Sequence, residues 1–181
     1  MNRRRIRNLA AFAAAVLAAA SPLAAQGLAP SPKTPAADGT VSPGEYSYTS
    51  VQKDMTLHLS LSADGGTLYA ALEAPTTGWA AVGLGSLRMD GAFMILGYDA
   101  AGTAAVSEET GSGRRHTPNP TRMLTARAVR EIAGKTVLEF ALPAAPHAVG
   151  SSLKLILAYG RRDDFSSLHA RYAAVEVPIS R

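Results

Sequence analysis

Apolar and polar residues alternate strictly along residues 55–61 of this chain. The apolar positions are Met55, Leu57, Leu59 and Leu61. A period of two is that of a β-strand with one buried face, because an α-helix brings apolar residues to one face every three or four positions. After residue 25 we find no convincing helical stripe, so the sequence predicts an all-β chain.

Short apolar runs separated by turn residues continue to the end of the chain. Asp64-Gly65-Gly66 is a typical hairpin turn between the first two runs. The predicted strands are 55–61, 67–74, 79–84, 92–98, 103–108, 122–129, 135–142, 153–159 and 171–179. This spacing is typical of a sandwich or barrel, and we predict an antiparallel, immunoglobulin-like β-sandwich.

Three segments are predicted to be irregular, namely 85–91, 110–122 and 160–170. Functional residues of a sandwich usually lie on such loops.

Residues 1–25 are predicted to be a signal peptide, because an Arg cluster precedes a short apolar run and small residues follow Pro22. The run is too short to span a bilayer, so we expect no stable membrane insertion after cleavage and a periplasmic or secreted product. Residues 26–37 are rich in Pro and Ala and are predicted to be a linker. The folded domain is then expected over 38–181.

The charge of the mature domain gives no reason to expect a nucleic-acid partner. The chain has 18 Lys and Arg against 14 Asp and Glu, and four of the arginines lie in the predicted signal peptide. The remaining basic and acidic residues balance, so the attraction that drives binding to phosphates is missing.

The chain has no cysteine. Disulfides, thiolate metal sites and a cysteine nucleophile are therefore excluded, and so is covalent c-type haem, which needs a Cys-x-x-Cys-His attachment.

The four histidines, His58, His116, His147 and His169, are isolated in sequence, so nothing indicates a zinc site. His58 and His147 are expected at the surface. The adjacent carboxylates Glu108 and Glu109 should point to opposite faces of a strand, and no nucleophile elbow occurs, so hydrolysis is not indicated.

Met89 lies among polar residues in the predicted loop 85–91, whereas Met94 fits an ordinary core position. A methionine in this setting either presents its thioether to a ligand or covers the end of the core.

Five stretches of the sequence resemble the DOMON domain family, and two of them are the opening segment 38–46 and the loop 113–118. A Trp-containing strand ends in Gly-x-Gly (78–85), and Met89, Gly-Ala and an apolar strand follow within residues 89–98. A late segment containing a histidine, Asp-Asp-Phe-Ser-Ser-Leu-His-Ala-Arg, occupies 163–171. The resemblance covers about residues 38–179. It departs from the family at Phe93, where an Asp is common.

The resemblance implies a β-sandwich that, in members such as the cytochrome domain of cellobiose dehydrogenase, binds b-type haem between a Met and a late His. Carried over, it makes Met89 and His169 the axial iron ligands of a non-covalent haem b. Leu87, Phe165 and His116 are expected to line the haem. Arg115, or a neighbouring Arg of the two loops, is expected to pair with a propionate, because guanidinium matches a carboxylate.

We therefore expect an electron carrier that serves a redox partner protein and is not itself an enzyme. With both axial positions filled, no site for substrate stays open, and a thioether ligand favours ferrous iron. Other members of the family bind sugars or small ligands without haem, or are accessory domains of redox complexes. Both alternatives stay open at the level of the sequence.

Overall fold

The computed structural model describes residues 27–180, so the predicted signal peptide lies outside the described residues. This part of the chain contains strands and no helix. The strands are β1 (Tyr48–Gln52), β2 (Met55–Leu61), β3 (Thr67–Ala74), β4 (Ala80–Leu84), β5 (Phe93–Ala100), β6 (Thr103–Ser112), β7 (Arg115–Pro118), β8 (Ala126–Ile132), β9 (Lys135–Pro143), β10 (Ala148–Val149), β11 (Ser152–Tyr159) and β12 (Arg171–Pro178).

The strands form two antiparallel sheets. The first sheet has the order β1-β2-β3-β9-β8, and the second has the order β10-β11-β4-β5-β6-β7, with β12 paired to β11. The predicted all-β antiparallel sandwich is confirmed. Among residues 27–180 there is no helix long and apolar enough to cross a membrane.

The main core lies between the sheets and follows the alternation seen in the sequence. Met55, Leu57, Leu59 and Leu61 are all buried, and they pack with residues of β9 and β11 such as Phe140. A one-residue shift of β2 would turn this whole apolar set to the outer face, so the burial of the set fixes the register.

The second sheet is apolar on both of its faces. Val82 and Ile95 belong to the main core, whereas Ala81, Met94 and Leu96 form a separate cluster on the outer face. Ala81 pairs with Leu96 across β4 and β5, which places the two side chains on the same face. The uninterrupted apolar runs 79–84 and 92–98 are the sequence signal for this, because a strand with one solvated face would alternate.

The first sheet carries a buried carboxylate on its outer face. Glu139 of β9 accepts hydrogen bonds from the backbone N–H groups of Asp38, Gly39 and Thr40 at 2.6–3.1 Å, and from the Tyr46 hydroxyl at 2.8 Å. Burial raises the pKa of Tyr46, and Glu139 adds to the shift, so the phenol stays a hydrogen-bond donor. These contacts hold residues 38–46 over the sheet.

The predicted linker lies against the sandwich over its described part. Leu28 is fully buried, and its backbone exchanges hydrogen bonds with Pro178 and Ser180 at 2.7 and 3.0 Å. The packed part of the chain therefore reaches at least to Leu28.

All nine predicted strands are present, but the boundaries of two of them are shifted by three residues or more, and β1, β7 and β10 were not predicted. The strand expected over 122–129 begins only at Ala126, because buried Glu108 accepts the N–H groups of Met123 and Leu124 and holds them in a loop. The segment 110–122, expected to be irregular, contains the end of β6 and all of β7.

Two histidines expected at the surface are buried. His58 is only 9% exposed because Thr49 and Glu73 contact its two ring nitrogens, at 3.0 and 3.5 Å. His147 is 5% exposed and stacks on Phe93, with ring centroids 5.1 Å apart. Burial lowers the pKa of His147, which favours a neutral ring.

Candidate functional site

A cavity of about 880 Å³ lies over the outer face of the second sheet. Its floor is the separate apolar cluster and includes Trp79, Met94, Leu96, Ile156 and Ala158. Met94 is thus buried as expected, but in the floor of this cavity rather than in the main core. An apolar floor of this kind suits a ligand with an apolar body.

Three segments form the walls of the cavity, and they largely coincide with the segments predicted to be irregular. The β4–β5 loop contributes Leu87 and Met89, the turn and strand β7 contribute Arg115 and His116, and the β11–β12 loop contributes Phe165 and His169. The fold therefore brings all six predicted site residues to one cavity, although they come from distant parts of the chain. Their roles toward a ligand stay predictions.

Hydrogen bonds fix Met89 against the end of β6. The N–H of Ala92 donates to the Met89 carbonyl at 3.0 Å, and Gly91 and Ala92 exchange hydrogen bonds with Gly111 at 3.0 and 2.9 Å. Gly91 has a φ of 76°, which a residue with a side chain rarely adopts, so the tight return of this loop depends on glycine. The thioether-bearing side chain lies partly buried against the floor of the cavity.

Gly111 is the point of closest packing beneath Met89. A Cβ atom at this position would collide with the Met89 carbonyl oxygen and lie 3.1 Å from its Cγ. We expect Gly111→Ala to displace the Met89 loop and to lower the free energy of unfolding by about 1–3 kcal/mol, the usual range for overpacking. In methyl NMR spectra the Met89 signal should move while that of Met55, in the main core, should not.

Gly97→Ala is the matched control. Its added Cβ would meet the Leu138 side chain at 2.8 Å inside the main core, so it should destabilise the protein without moving the Met89 methyl signal. An unchanged Met89 signal in Gly111→Ala would contradict the packing described here.

The loop 160–170 is tied to the floor through Trp79. The indole Nε1 donates to Ser167 Oγ at 3.0 Å, and the N–H of Gly160 donates to the Trp79 carbonyl at 2.9 Å. A Cβ atom at position 160 would collide with the indole ring of Trp79, so only glycine fits beside it. The tryptophan of the sequence motif is therefore the residue that positions the loop carrying His169.

Asp164 stabilises the same loop from within. Its Oδ1 accepts the N–H groups of Ser166 and Ser167 at 2.8 and 2.5 Å. These two hydrogen bonds hold the pKa of Asp164 below its usual range.

His169 is exposed at the mouth of the cavity. Its ring packs on Tyr172 with centroids 4.9 Å apart, and Phe165 packs on Tyr98 at 4.8 Å. Within residues 27–180 no carboxylate or carbonyl holds the His169 imidazole, so the supporting contact is aromatic.

Of the two histidines that line the cavity, His116 is the one that a carboxylate supports. Its Nδ1 donates a hydrogen bond to Oε2 of Glu109, and the other oxygen of Glu109 accepts the Ser107 hydroxyl at 2.8 Å. Glu109 is 5% exposed. Glu108 points the opposite way, toward the loop at Met123, as expected for neighbours on a strand. The sequence did not indicate the pairing of His116 with Glu109, because it depends on the unpredicted strand β7.

Three arginines also line the cavity, namely Arg88, Arg114 and Arg115. In the described part of the chain, none of them lies within 4.0 Å of a carboxylate oxygen. Within residues 27–180, no three or more His, Cys, Asp or Glu side chains come together in a group that could hold a metal ion.

The sequence matches no protein-family model and no curated protein. Solved structures do share its fold. The cytochrome b domain of pyranose dehydrogenase from Coprinopsis cinerea superposes with a TM-score of 0.59 and 14% identity, over 72% of this chain and 80% of that domain. The cytochrome domain of Myriococcum thermophilum cellobiose dehydrogenase gives a TM-score of 0.53 and 12% identity, over 74% and 81%. The sequence-based resemblance is confirmed at the level of the fold.

Proposed function

We propose that this chain, whose fold is that of cytochrome b domains, is an exported electron carrier that binds haem b non-covalently through Met89 and His169. The observation that supports this most is that the two side chains, from loops far apart in sequence, line the same cavity. A thioether and an imidazole are a known pair of axial ligands for haem iron.

The residues present fit a haem. The cavity of about 880 Å³ lies within the range of roughly 300–1,000 Å³ that cofactor sites occupy. Its floor is apolar, as the macrocycle requires, and Met89 and His169 supply a soft and a borderline donor. Arg115 is the proposed partner of a propionate, since the guanidinium groups of the lining have no carboxylate partner among the described residues.

Bound haem would supply one-electron chemistry, and the chain would set its potential and access. Trp79, Met94 and Leu96 keep water from the floor, and a thioether raises the potential relative to a second imidazole. With both axial positions taken by side chains, no position is left for a substrate. Electron transfer to or from a redox partner protein is therefore the role that the site supports best, in the periplasm or outside the cell.

Met89→His tests the ligand assignment through the redox potential. The variant should retain haem in a low-spin state, but its midpoint potential should fall, because imidazole stabilises ferric iron more than a thioether does. The change should be readily measured by optical redox titration, since axial ligands set haem potentials over a range of about 0.8 V.

The control is Met123→Leu, which alters a methionine outside the cavity lining. Met55→His would be unsuitable, because Met55 is fully buried in the core. Met123→Leu should keep the wild-type potential. If Met89→His shows the wild-type potential as well, Met89 is not an iron ligand.

His116→Ala should leave the low-spin spectrum intact, because we assign iron ligation to His169. Haem content and the oxidised and reduced spectra of the purified variant provide the measurement. Loss of the low-spin spectrum would transfer the imidazole role from His169 to His116.

If the protein never takes up haem, the remaining candidate is a haem-free module that binds a sugar or another small ligand in the same cavity.

A further inference from the structure

We infer that His116 is a reserve iron ligand, held by Glu109 on the Met89 side of the cavity, which takes the axial position when the thioether is removed. This inference rests on the proposed haem function. It gives a role to the pair His116–Glu109, which belongs neither to the hydrophobic core nor to the two proposed iron ligands.

The strand register places His116 beside Met89. His116 of β7 is paired directly with Gly111 of β6, and directly paired residues project to the same face with Cβ atoms about 4.5–5.5 Å apart. On that face, the Cβ position of Gly111 lies 3.1 Å from Met89 Cγ. The imidazole of His116 and the thioether of Met89 therefore lie on the same wall of the cavity.

The hydrogen bond to Glu109 prepares the imidazole for coordination. A neutral imidazole whose Nδ1–H donates to a carboxylate carries its free lone pair on Nε2, which is the arrangement that supports histidine ligands of metals. Glu109 is almost fully buried and is itself positioned by the Ser107 hydroxyl. His116 is partly exposed and lines the cavity, so its Nε2 is accessible from it.

The two imidazoles of the cavity differ in the side chain that supports each ring. His169 packs on an aromatic ring and is exposed, while His116 has the carboxylate support. A chain with both could bind iron through Met89 and His169 or, without the thioether, through His116 and His169.

The test compares spectra of haem-loaded variants. Met89→Ala should remain low-spin, without sulfur-to-iron charge-transfer absorption and with a lower midpoint potential than wild type. Adding His116→Ala should convert it to a high-spin form. Adding His58→Gln instead, on the other sheet, should leave it low-spin, and adding Glu109→Gln should lower the low-spin fraction.

A high-spin Met89→Ala protein would overturn this inference and leave the proposed function standing, provided that the wild type is low-spin. A haem-free measurement separates the two claims further. In ¹⁵N NMR spectra of the haem-free protein, recorded at a pH at which the ring is neutral, the proton of His116 should lie on Nδ1. A proton on Nε2 of the neutral ring would overturn the inference whether or not haem binds.

Discussion

Replacing His169 by alanine is expected to remove most of the haem that the wild-type protein retains. The chain has no cysteine, so no thioether link to the protein can keep the cofactor once an axial ligand is lost. Apolar contacts between haem and the floor of the cavity would remain, but they do not coordinate the iron. Haem content per protein after gel filtration, measured on protein loaded with excess haem, should fall several-fold.

The fold should survive this substitution. His169 is exposed, and its packing partner Tyr172 is also largely exposed, so the far-ultraviolet circular dichroism spectrum should not change. Added imidazole should restore part of the low-spin spectrum by filling the space left by the side chain. His116→Ala, which also removes an imidazole from the cavity, is the matched control and should retain haem. Normal haem content in His169→Ala would show that another residue ligates the iron.

Replacing Glu139 by alanine is expected to give the largest loss of stability outside the site. The change leaves the N–H groups of Asp38 and Gly39 and the Tyr46 hydroxyl without their acceptor, whereas the N–H of Thr40 keeps a second acceptor, Asp38 Oδ1 at 2.8 Å. A buried donor without a partner costs about 1–3 kcal/mol, and fraying of residues 38–46 would return some of these groups to water. We expect a loss on the order of 3 kcal/mol in the free energy of unfolding.

The Glu139 prediction is measured by chemical denaturation and by the thermal midpoint. For a domain of this size, such a loss corresponds to a fall of about 6–12 °C. Glu176→Ala removes the same charge from an exposed position on β12, and its effect should stay within about 0.5 kcal/mol. Equal stabilities of the two variants would show that the carboxylate of Glu139 contributes little to holding the segment 38–46.

The sequence was sufficient for the fold because the apolar pattern is local and regular. Alternation along 55–61 defines a half-buried strand, and Asp64-Gly65-Gly66 defines the hairpin that follows. The uninterrupted runs 79–84 and 92–98 also indicate a second apolar face, which the prediction of Met94 as an ordinary core residue did not include. Strand β7 escaped prediction because Arg115–Pro118 is polar and has no apolar residue to bury.

The site was predictable as a set of loops but not as a set of contacts. The resemblance indicated Met89 and His169, and the fold brings both to one cavity. The pair His116–Glu109 depends on the register of β6 and β7, and the burial of His147 depends on Phe93, which is distant in sequence. Contacts of this kind follow from tertiary packing, for which the local pattern carries no signal.

The absorption spectrum of the purified protein shows whether Met89 and His169 hold haem b. It is recorded on protein prepared with haem available, in the oxidised state and after reduction with dithionite. We expect a six-coordinate, low-spin b-type spectrum in both states, with sharp bands on reduction. A protein that takes up no haem, or that shows only a high-spin spectrum, would contradict it.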